Sequence, residues 1–318
     1  MLDHVARQWL VGHFHDHVRF DEPMYRHTSL GVGGPADVWI EPKTEQELKE
    51  LLLWTIQNQF PYLIVGNGTN ILVKDGGIRG IVISLASMST KPCVISDSDD
   101  KLILSVHAGF LLPRLCNYSI HEGLAGLHVV SGIPGTVGGG IIMNAGNELG
   151  SVGELVHELR LITADGRFIE LDRKELCFGY RSLNIESISF DDHNGGPVVL
   201  EAKLILKRSD PNVLKSEFDR LWGIRRSKQP MTYRSAGCFF KNPSKDMPAG
   251  KLIEQSGFKG LCMGSAQVST VHANFFINIA ENTRGCADDF LALMTHVKQG
   301  VWEKFQISLQ TEVKIIGS

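Results

Sequence analysis

A single stretch, Ser131 to Gly146 (SGIPGTVGGGIIMNAG), limits what this chain can fold into more than any other. It holds six glycines and one proline among small and β-branched residues, and it carries no charged side chain. Such a run buries little side-chain area, so its value lies in its backbone. Glycine reaches φ > 0 without a steric cost and lets another group come close to the main chain. Successive N–H groups in such a loop form a concavity that suits a pyrophosphate. The alternative is a glycine-rich turn between packed elements, because a glycine pattern takes its meaning from its context. A second loop supplies some of that context: VGNGTNILV, Val65 to Val73, places Gly66 and Gly68 directly after an apolar, strand-like run. The pattern is not G-x-G-x-x-G, since Asn70 follows Thr69 and no third glycine opens a helix, which argues against an ordinary dinucleotide fold. Two such loops point to one extended ligand held from two sides.

The length of 318 residues suggests two domains or three, ample for a core. A net charge of −3 leaves no basic footprint for nucleic acid. No window approaches the roughly 20 apolar residues that span a bilayer. Asp3 and His4 interrupt the start of the chain, which has no apolar signal-peptide region. The six cysteines are scattered with no C-x-x-C, as expected of free thiols in a reducing compartment. The expectation is a cytoplasmic globular protein without a disulfide or a metal site.

The N-terminal segment carries His4, His13, His15 and His17. On a helix His13 and His17 share a face, but no acidic base accompanies them, and Leu10, Val11 and Phe14 indicate an ordinary amphipathic helix. A strand is expected over Asp37–Ile40. A helix follows Thr44, with Thr44 and Glu47 as a capping box and Leu48, Leu51, Leu52, Thr55 and Ile56 as its stripe. Further strands are expected over Tyr62–Val65, Ile71–Val73, Ile78–Leu85 and Leu102–Val106, then a helix over Leu111–His121 capped by Gly123. Asp165-Gly166, centred in LRLITADGRFIEL, signals a two-residue hairpin. Val198–Leu206 is a strand, and Pro211 marks a boundary. A helix over Val213–Trp222 and the basic segment IRRSKQP (Ile224–Pro230) follow. A long helix is expected over about Thr283–Phe305, with the stripe Phe290, Met294, Val297, Val301 and Phe305 and a weak point at Gly300.

Three polar clusters stand in apolar settings. In CFGYRSLNI, Arg181 is framed by Phe178 and Tyr180 and is suited to hold a carboxylate with a bidentate fork. In RSAGCFFKNP, Cys238 lies between Gly237 and two phenylalanines, ahead of Lys241 and Asn242. Buried cysteine is most often inert, whereas a Gly-Cys junction in a turn beside basic residues leaves an accessible, more acidic thiol. In the terminal LQTEVKIIG, Glu312 alternates with apolar neighbours on a strand-like run, and periodicity alone favours a solvent-facing glutamate. Composition and periodicity end at an α/β-type protein with an anionic, nucleotide-like ligand.

Taken together, HTSLGVGGPADVWIEP (His27–Pro42), VGNGTNILV, SGIPGTVGGGIIMNAG, FGYRS, SAGCFFKNP, AGKLIEQSGFKG (Ala249–Gly260) and TEVKIIG resemble the UDP-N-acetylenolpyruvoylglucosamine reductases, the MurB flavoenzymes of peptidoglycan precursor synthesis. The motifs occur in the family's order from about residue 27 onward. The resemblance implies an α+β chain: a two-subdomain FAD-binding fold of the vanillyl-alcohol oxidase type plus a C-terminal α+β substrate domain. It divides the chain into residues 1–85 with the tail from about 306 to 318, residues 86–208, and a UDP-sugar domain over 209–305. It implies non-covalent FAD, NADPH as hydride donor and a UDP-sugar substrate. Assigned to FAD are Gly66, Asn67, Gly68, Thr69, Asn70, Ser131, Gly132, Ile133, Pro134, Gly135, Thr136, Gly138, Gly139, Asn144, Ala145 and Gly146. Arg181 and Glu312 fall on the family's catalytic arginine and glutamate. Cys238 falls on its proton donor, commonly serine, and a thiol can still donate that proton. Tyr180, Lys228, Lys241 and Asn242 are the candidates for substrate contacts. The short segment between Val198 and Cys238 places the chain in the compact branch that lacks a tyrosine-bearing substrate loop. GNELGSVGE departs from the family's usual continuation at Asn147 and Glu148. Another FAD oxidoreductase of the same fold and a silent FAD or UDP-sugar binder are the competing readings.

Overall fold

The computed structural model describes residues 2–98, 101–186, 188, 195–281 and 284–318. The chain divides into two compact units, one of residues 1–20, 38–66 and 80–223, the other of 21–37, 67–79 and 224–318.

The chain opens with α1 (His4–Phe14), whose N-cap Asp3 accepts from the Ala6 N–H and which buries Ala6, Leu10 and Phe14. The helix stops at His15, whose φ of 48° leaves the helical region. His13 and His17 therefore do not share a helix face, and His13 Nδ1 bonds to the Trp9 carbonyl instead. Strands β1 (Val18–Pro23) and β2 (Pro35–Ile40) precede α2 (Glu45–Gln57). Thr44 caps α2 by accepting from Glu47 N–H, but Glu47 answers to the N–H of Lys43 and not of Thr44, so the capping box is half formed. Leu48, Leu51, Leu52 and Thr55 are buried as the stripe requires, whereas Ile56 is exposed.

Strands β3 (Tyr62–Ile64), β4 (Ile71–Val73) and β5 (Ile78–Ile83) follow, and β3 runs parallel to β5. Strands β6 (Cys93–Ser98) and β7 (Lys101–His107) lead into α3 (Leu112–His121). Pro113 stands in its first turn, and Gly123 follows its end at φ 65°. Beyond the short β8 (Leu124–Ala125) come α4 (Val137–Ile142) and the two-residue strands β9 (Gly146–Asn147) and β10 (Gly150–Ser151). Strands β11 (Val156–Ile162) and β12 (Phe168–Asp172) form the expected hairpin, but around a longer loop. Thr163 N–H bonds to Arg167 O, and of Asp165 and Gly166 only Gly166 has positive φ. A two-residue type I′ turn needs both residues at φ > 0. A second hairpin, β13 (Leu176–Gly179) and β14 (Ser182–Ile185), precedes the long β15 (Val198–Arg208).

The main sheet of the first unit has the antiparallel order β12-β11-β15-β7-β6, with β8 also on β15. Strand alternation sends Leu102, Leu104 and Val106 of β7 and Ala202, Leu204 and Leu206 of β15 into the core with Leu159 and Leu161. Each such leucine or valine contributes about 1.5–3 kcal/mol of burial. The opposite face carries polar cross-strand partners, His107 beside Glu201 and Glu201 beside Arg160.

Helix α5 (Pro211–Lys228) runs longer than expected and absorbs most of the basic segment; only Leu214 and Phe218 of it are buried. In the second unit β16 (Arg234–Cys238), α6 (Ala249–Gln255), β17 (Cys262–Met263), β18 (Ala266–Val268) and β19 (Phe275–Asn278) build a sheet of order β16-β19-β18-β17. The last helix, α7 (Ala287–Phe305), buries Phe290, Leu293, Met294, Val297 and Val301; its expected start at Thr283 lies outside the described residues. Strand β20 (Lys314–Ile316) lies parallel to β4, Lys314 opposite Ile71. That pairing, with the Asn278 amide donating to Leu30 O and Gly285 N–H to Gly31 O, groups residues 21–37 and 67–79 with the end of the chain.

Candidate active site

In the first unit the backbone of the glycine-rich stretch is largely committed to the protein. Ser131 N–H bonds to His128 O, Ile133 N–H to Val130 O, Val137 N–H to Phe110 O and Gly138 N–H to Ala108 O. Thr136 caps α4 by accepting from Gly139 N–H at 3.3 Å. Among the described residues the N–H groups of Gly132, Gly135 and Thr136 have no acceptor in the protein. Those three remain as donors, fewer than a fully open concavity. Gly132 and Gly135 sit at φ 69° and 123°, which accounts for glycine at both. Gly66 meets this stretch directly, because a Cβ there would lie 2.4 Å from Thr136 Oγ1. The close approach leaves no room for a side chain at Gly66, and the three unengaged N–H groups are the donors that an anionic group could use.

Asn144, at φ 40°, joins the stretch to the hairpin β13–β14. Its Nδ2 donates to Gly179 O at 2.8 Å and its Oδ1 accepts from Gly153 N–H at 3.1 Å. Ala145 is buried and takes Val152 N–H on its carbonyl. The hairpin turns through Tyr180 and Arg181, with Gly179 opposite Ser182. Arg181 holds φ at 55°, the position of such a turn that glycine or asparagine ordinarily takes. The Arg181 side chain is half-buried, its guanidinium 5.5 Å from the Tyr180 ring and in a long 3.4 Å bond to Gly146 O. Tyr180 itself is 55 % exposed.

In the second unit Gly68, at φ 60°, presses on His27, where a Cβ would lie 1.9 Å from the carbonyl oxygen. Asn67 is exposed, and Thr69 is half-buried. Asn70 is bound to the tail: its Nδ2 donates to Glu312 O at 3.1 Å, and its own carbonyl accepts from Lys314 N–H. Cys238 ends β16 at a bulge. Ser235 pairs with Ile277 and Cys238 with Phe275, so the strand carries one extra residue, and Gly237 sits there at φ 78°. Bulges of this kind re-aim a side chain. The Gly-Cys junction is thus a strand irregularity and not a turn, with the thiol half-buried. Glu312 N–H donates to Phe239 O and Phe240 bridges Thr311, which brings Glu312 alongside the residue after Cys238. Glu312 is half-buried against a fully buried Val313, so it is not the solvent-facing side chain that periodicity favours. The main chain at and before Glu312 bonds to the segment that follows β16.

Lys241 N–H pairs with Gln310 O, Asn242 Oδ1 accepts from Ala249 N–H at the start of α6, and Lys228 is exposed at the end of α5. A residue that sequence reasoning passes over is Asn274. It is 2 % exposed and pairs through its side chain with both N–H and C=O of Phe240, at 3.0 and 2.8 Å, fixing the segment after Cys238. An asparagine inside the apolar run VHANFF is the signal that could have found it. The thiol of Cys116, by contrast, is buried and pushed up to about 12. Among the described residues no group of three metal-ligating side chains is placed to hold an ion, and no helix is long and apolar enough to cross a membrane.

The comparisons with known proteins agree on one class. A FAD-binding domain family model matches residues 36–172, and the model of the UDP-N-acetylenolpyruvoylglucosamine reductase C-terminal domain matches residues 229–316. The chain is an α+β protein of FAD-binding domain plus that C-terminal domain. It is 42 % identical over 318 residues to a UDP-N-acetylenolpyruvoylglucosamine reductase of Desulfosudis oleivorans, covering 99 % of this chain and 100 % of that one. A reductase of the same name from Clostridium botulinum is 40 % identical over 302 residues, covering 95 % of this chain and 93 % of that one. The crystal structure of the Thermus caldophilus reductase (MurB) superposes with a TM-score of 0.76 at 33 % identity, over 93 % of this chain and 97 % of that chain. The chain belongs to the UDP-N-acetylenolpyruvoylglucosamine reductase family.

Proposed function

We propose that this chain reduces the enolpyruvyl ether of UDP-N-acetylglucosamine to UDP-N-acetylmuramate, a step of peptidoglycan precursor synthesis, with non-covalent FAD and with NADPH as donor. The near-full-length relatives of that name support the reading. The observation that carries it is the backbone bond from Glu312 to Phe239, which keeps a half-buried carboxylate beside the bulge that bears Cys238. Residues 1–85 with the tail from about 306, and residues 86–208, take the cofactor, and residues 209–305 take the UDP-sugar; the family models over 36–172 and 229–316 support a cofactor part followed by a C-terminal part, the second model including the tail.

Gly66, Asn67, Gly68, Thr69, Asn70 and the 131–146 stretch hold FAD, and the unengaged N–H groups of Gly132, Gly135 and Thr136 are the donors suited to its pyrophosphate. FAD held there would supply hydride transfer from NADPH to the methylene carbon of the substrate. Negative charge then builds on the adjoining carbon and its carboxylate. Arg181, preset at φ 55°, holds that carboxylate and stabilises the charge. Glu312 helps to orient or polarise the enolate system that forms. The thiol of Cys238 donates its proton to the carbon, and the thiolate recovers a proton from water. Tyr180, Lys228, Lys241 and Asn242 contact the UDP and pyruvyl oxygens, with lysine as a point-charge partner for phosphate.

The test is product mass after turnover with NADPH in D2O. Addition of two hydrogens, with one solvent deuterium on the carbon that bears the carboxylate, is expected. Product without solvent deuterium there would remove the thiol as donor.

A further inference from the structure

His107 lies at the end of β7 and serves no role in the chemistry above. Its Nδ1 accepts the N–H of Gly109 at 3.1 Å, so the neutral ring carries its proton on Nε2. That Nε2 is buried and has no partner among the described residues. The bond to Gly109 closes a turn, 107–110, in which Phe110 N–H also returns to His107 O at 3.0 Å. The two carbonyls of that turn carry the start of α4: Ala108 O accepts from Gly138 and Phe110 O from Val137, both at 2.8 Å. Gly138 rests so close that a Cβ would stand 2.9 Å from the Ala108 Cβ.

Three charged groups from three elements surround the ring. Glu45 of α2 and Glu201 of β15 attract a proton to it, and Arg160 of β11, paired to Glu45, repels one. Burial, the largest effect, holds the imidazole below its ordinary range.

We infer that His107 is a positioning residue for the cofactor cradle: neutral, it clamps the 107–110 turn that carries Val137 and Gly138, and protonated it releases Gly109 and turns toward Glu45 and Glu201. Protonation makes Nδ1 a donor, which cannot face another N–H. Acid thus loosens the glycine-rich stretch and weakens its hold on FAD. The link to FAD rests on the proposed function; the clamp itself does not.

Asparagine is the informative substitution. Its Oδ1 accepts an N–H two residues on, as in an Asx turn, and it does not titrate. FAD affinity of the holoprotein is measured by fluorescence of released flavin from about pH 8 to about pH 5. The native protein is expected to lose affinity by about tenfold or more on acidification, H107N to hold it nearly constant, and H107L to be weak throughout. An acid loss in H107N equal to the native one overturns the inference, as does a flat native profile. Hydrogen exchange of residues 137–142 in FAD-free protein reads the clamp by itself. Protection there should fall with pH in the native chain and not in H107N. Protein that takes up no FAD at any pH but shows this exchange pattern sinks the flavin reading and keeps the clamp; unchanged exchange sinks the clamp.

Discussion

Arg181 shows what a single residue carries beyond its type. Its aromatic frame marks it in the sequence as a carboxylate holder, but nothing in FGYRS announces a backbone at φ 55°. A non-glycine residue in that region stores about 1–3 kcal/mol. R181G should therefore keep or raise Tm while activity falls to the background, and thermal melts beside turnover measurements check this; a clear loss of Tm would mean that the side chain is structural. At Cys238, C238A should keep flavin and lower kcat by about 10²–10⁴-fold, with C238S restoring much of it. Steady-state rates decide, and a C238A variant as fast as the native protein would assign the proton elsewhere. Glu312 was legible as a site residue only through family resemblance. Alternation places it toward solvent, whereas its burial comes from bonds to Phe239 and Asn70, partners far away in the chain. His107 was not legible, because its role is defined by one bond from the Gly109 backbone that no spacing rule marks, and Asn274 announced itself only as an asparagine in an apolar run, its two bonds to the Phe240 backbone lying far away in the chain.

At the scale of elements, apolar periodicity located α2, α3, α7 and the strands β7, β11, β12 and β15 of the main sheet, since burial on one face leaves a period; the edge strand β6 buries almost nothing and left none. It missed what local geometry decides. The hairpin β11–β12 turns through a longer loop than Asp-Gly suggests, because Thr163 and Arg167 bond to each other first. Helix α1 ends before His17 because His15 leaves the helical region. Gly300 reads as a weakness within α7, yet a Cβ there would stand 2.2 Å from Phe258 Cζ. Alanine gains about 1 kcal/mol of helix propensity at such a site, but the overlap costs about 1–3 kcal/mol. G300A should accordingly lower stability in denaturant melts, and F258L added to it should recover most of the loss. A stabilised G300A would show that Phe258 yields freely.

For the whole molecule, the balance of titrating groups sets an acid limit. Burial holds His107 and His272 below their ordinary 6.5, so the unfolded chain binds protons more readily than the fold does. Their contribution is complete above 6.5 and is lost as pH falls from there toward the folded values. Glu45 is lowered from 4.5, first by its hydrogen bond from Arg160. Its contribution is present above 4.5 and is lost as pH falls through its folded value. Stability should thus decline in two stages on acidification, the first absent from the double variant H107N/H272N; denaturant midpoints across pH measure it, and an unchanged first stage in that variant would refute it.

The family was legible in the sequence because its motifs, glycine loops and polar side-chain clusters alike, occur in order from about residue 27 onward. The resemblance anticipates that the tail returns to residues 1–85, as β20 does beside β4, but the grouping of residues 21–37 and 67–79 with residues 224–305 was not legible, because it rests on bonds such as Asn278 to Leu30 O that join distant parts of the chain. The central claim is that a flavin on this chain relays a hydride from NADPH to an enolpyruvyl UDP-sugar. The most direct measurement is anaerobic: the purified protein with FAD is bleached by NADPH, the excess donor is removed, the enolpyruvyl UDP-sugar is added, and flavin absorbance is followed. Return of the oxidised spectrum, in proportion to substrate added, is the predicted result. Bleaching without return on adding that substrate would contradict it.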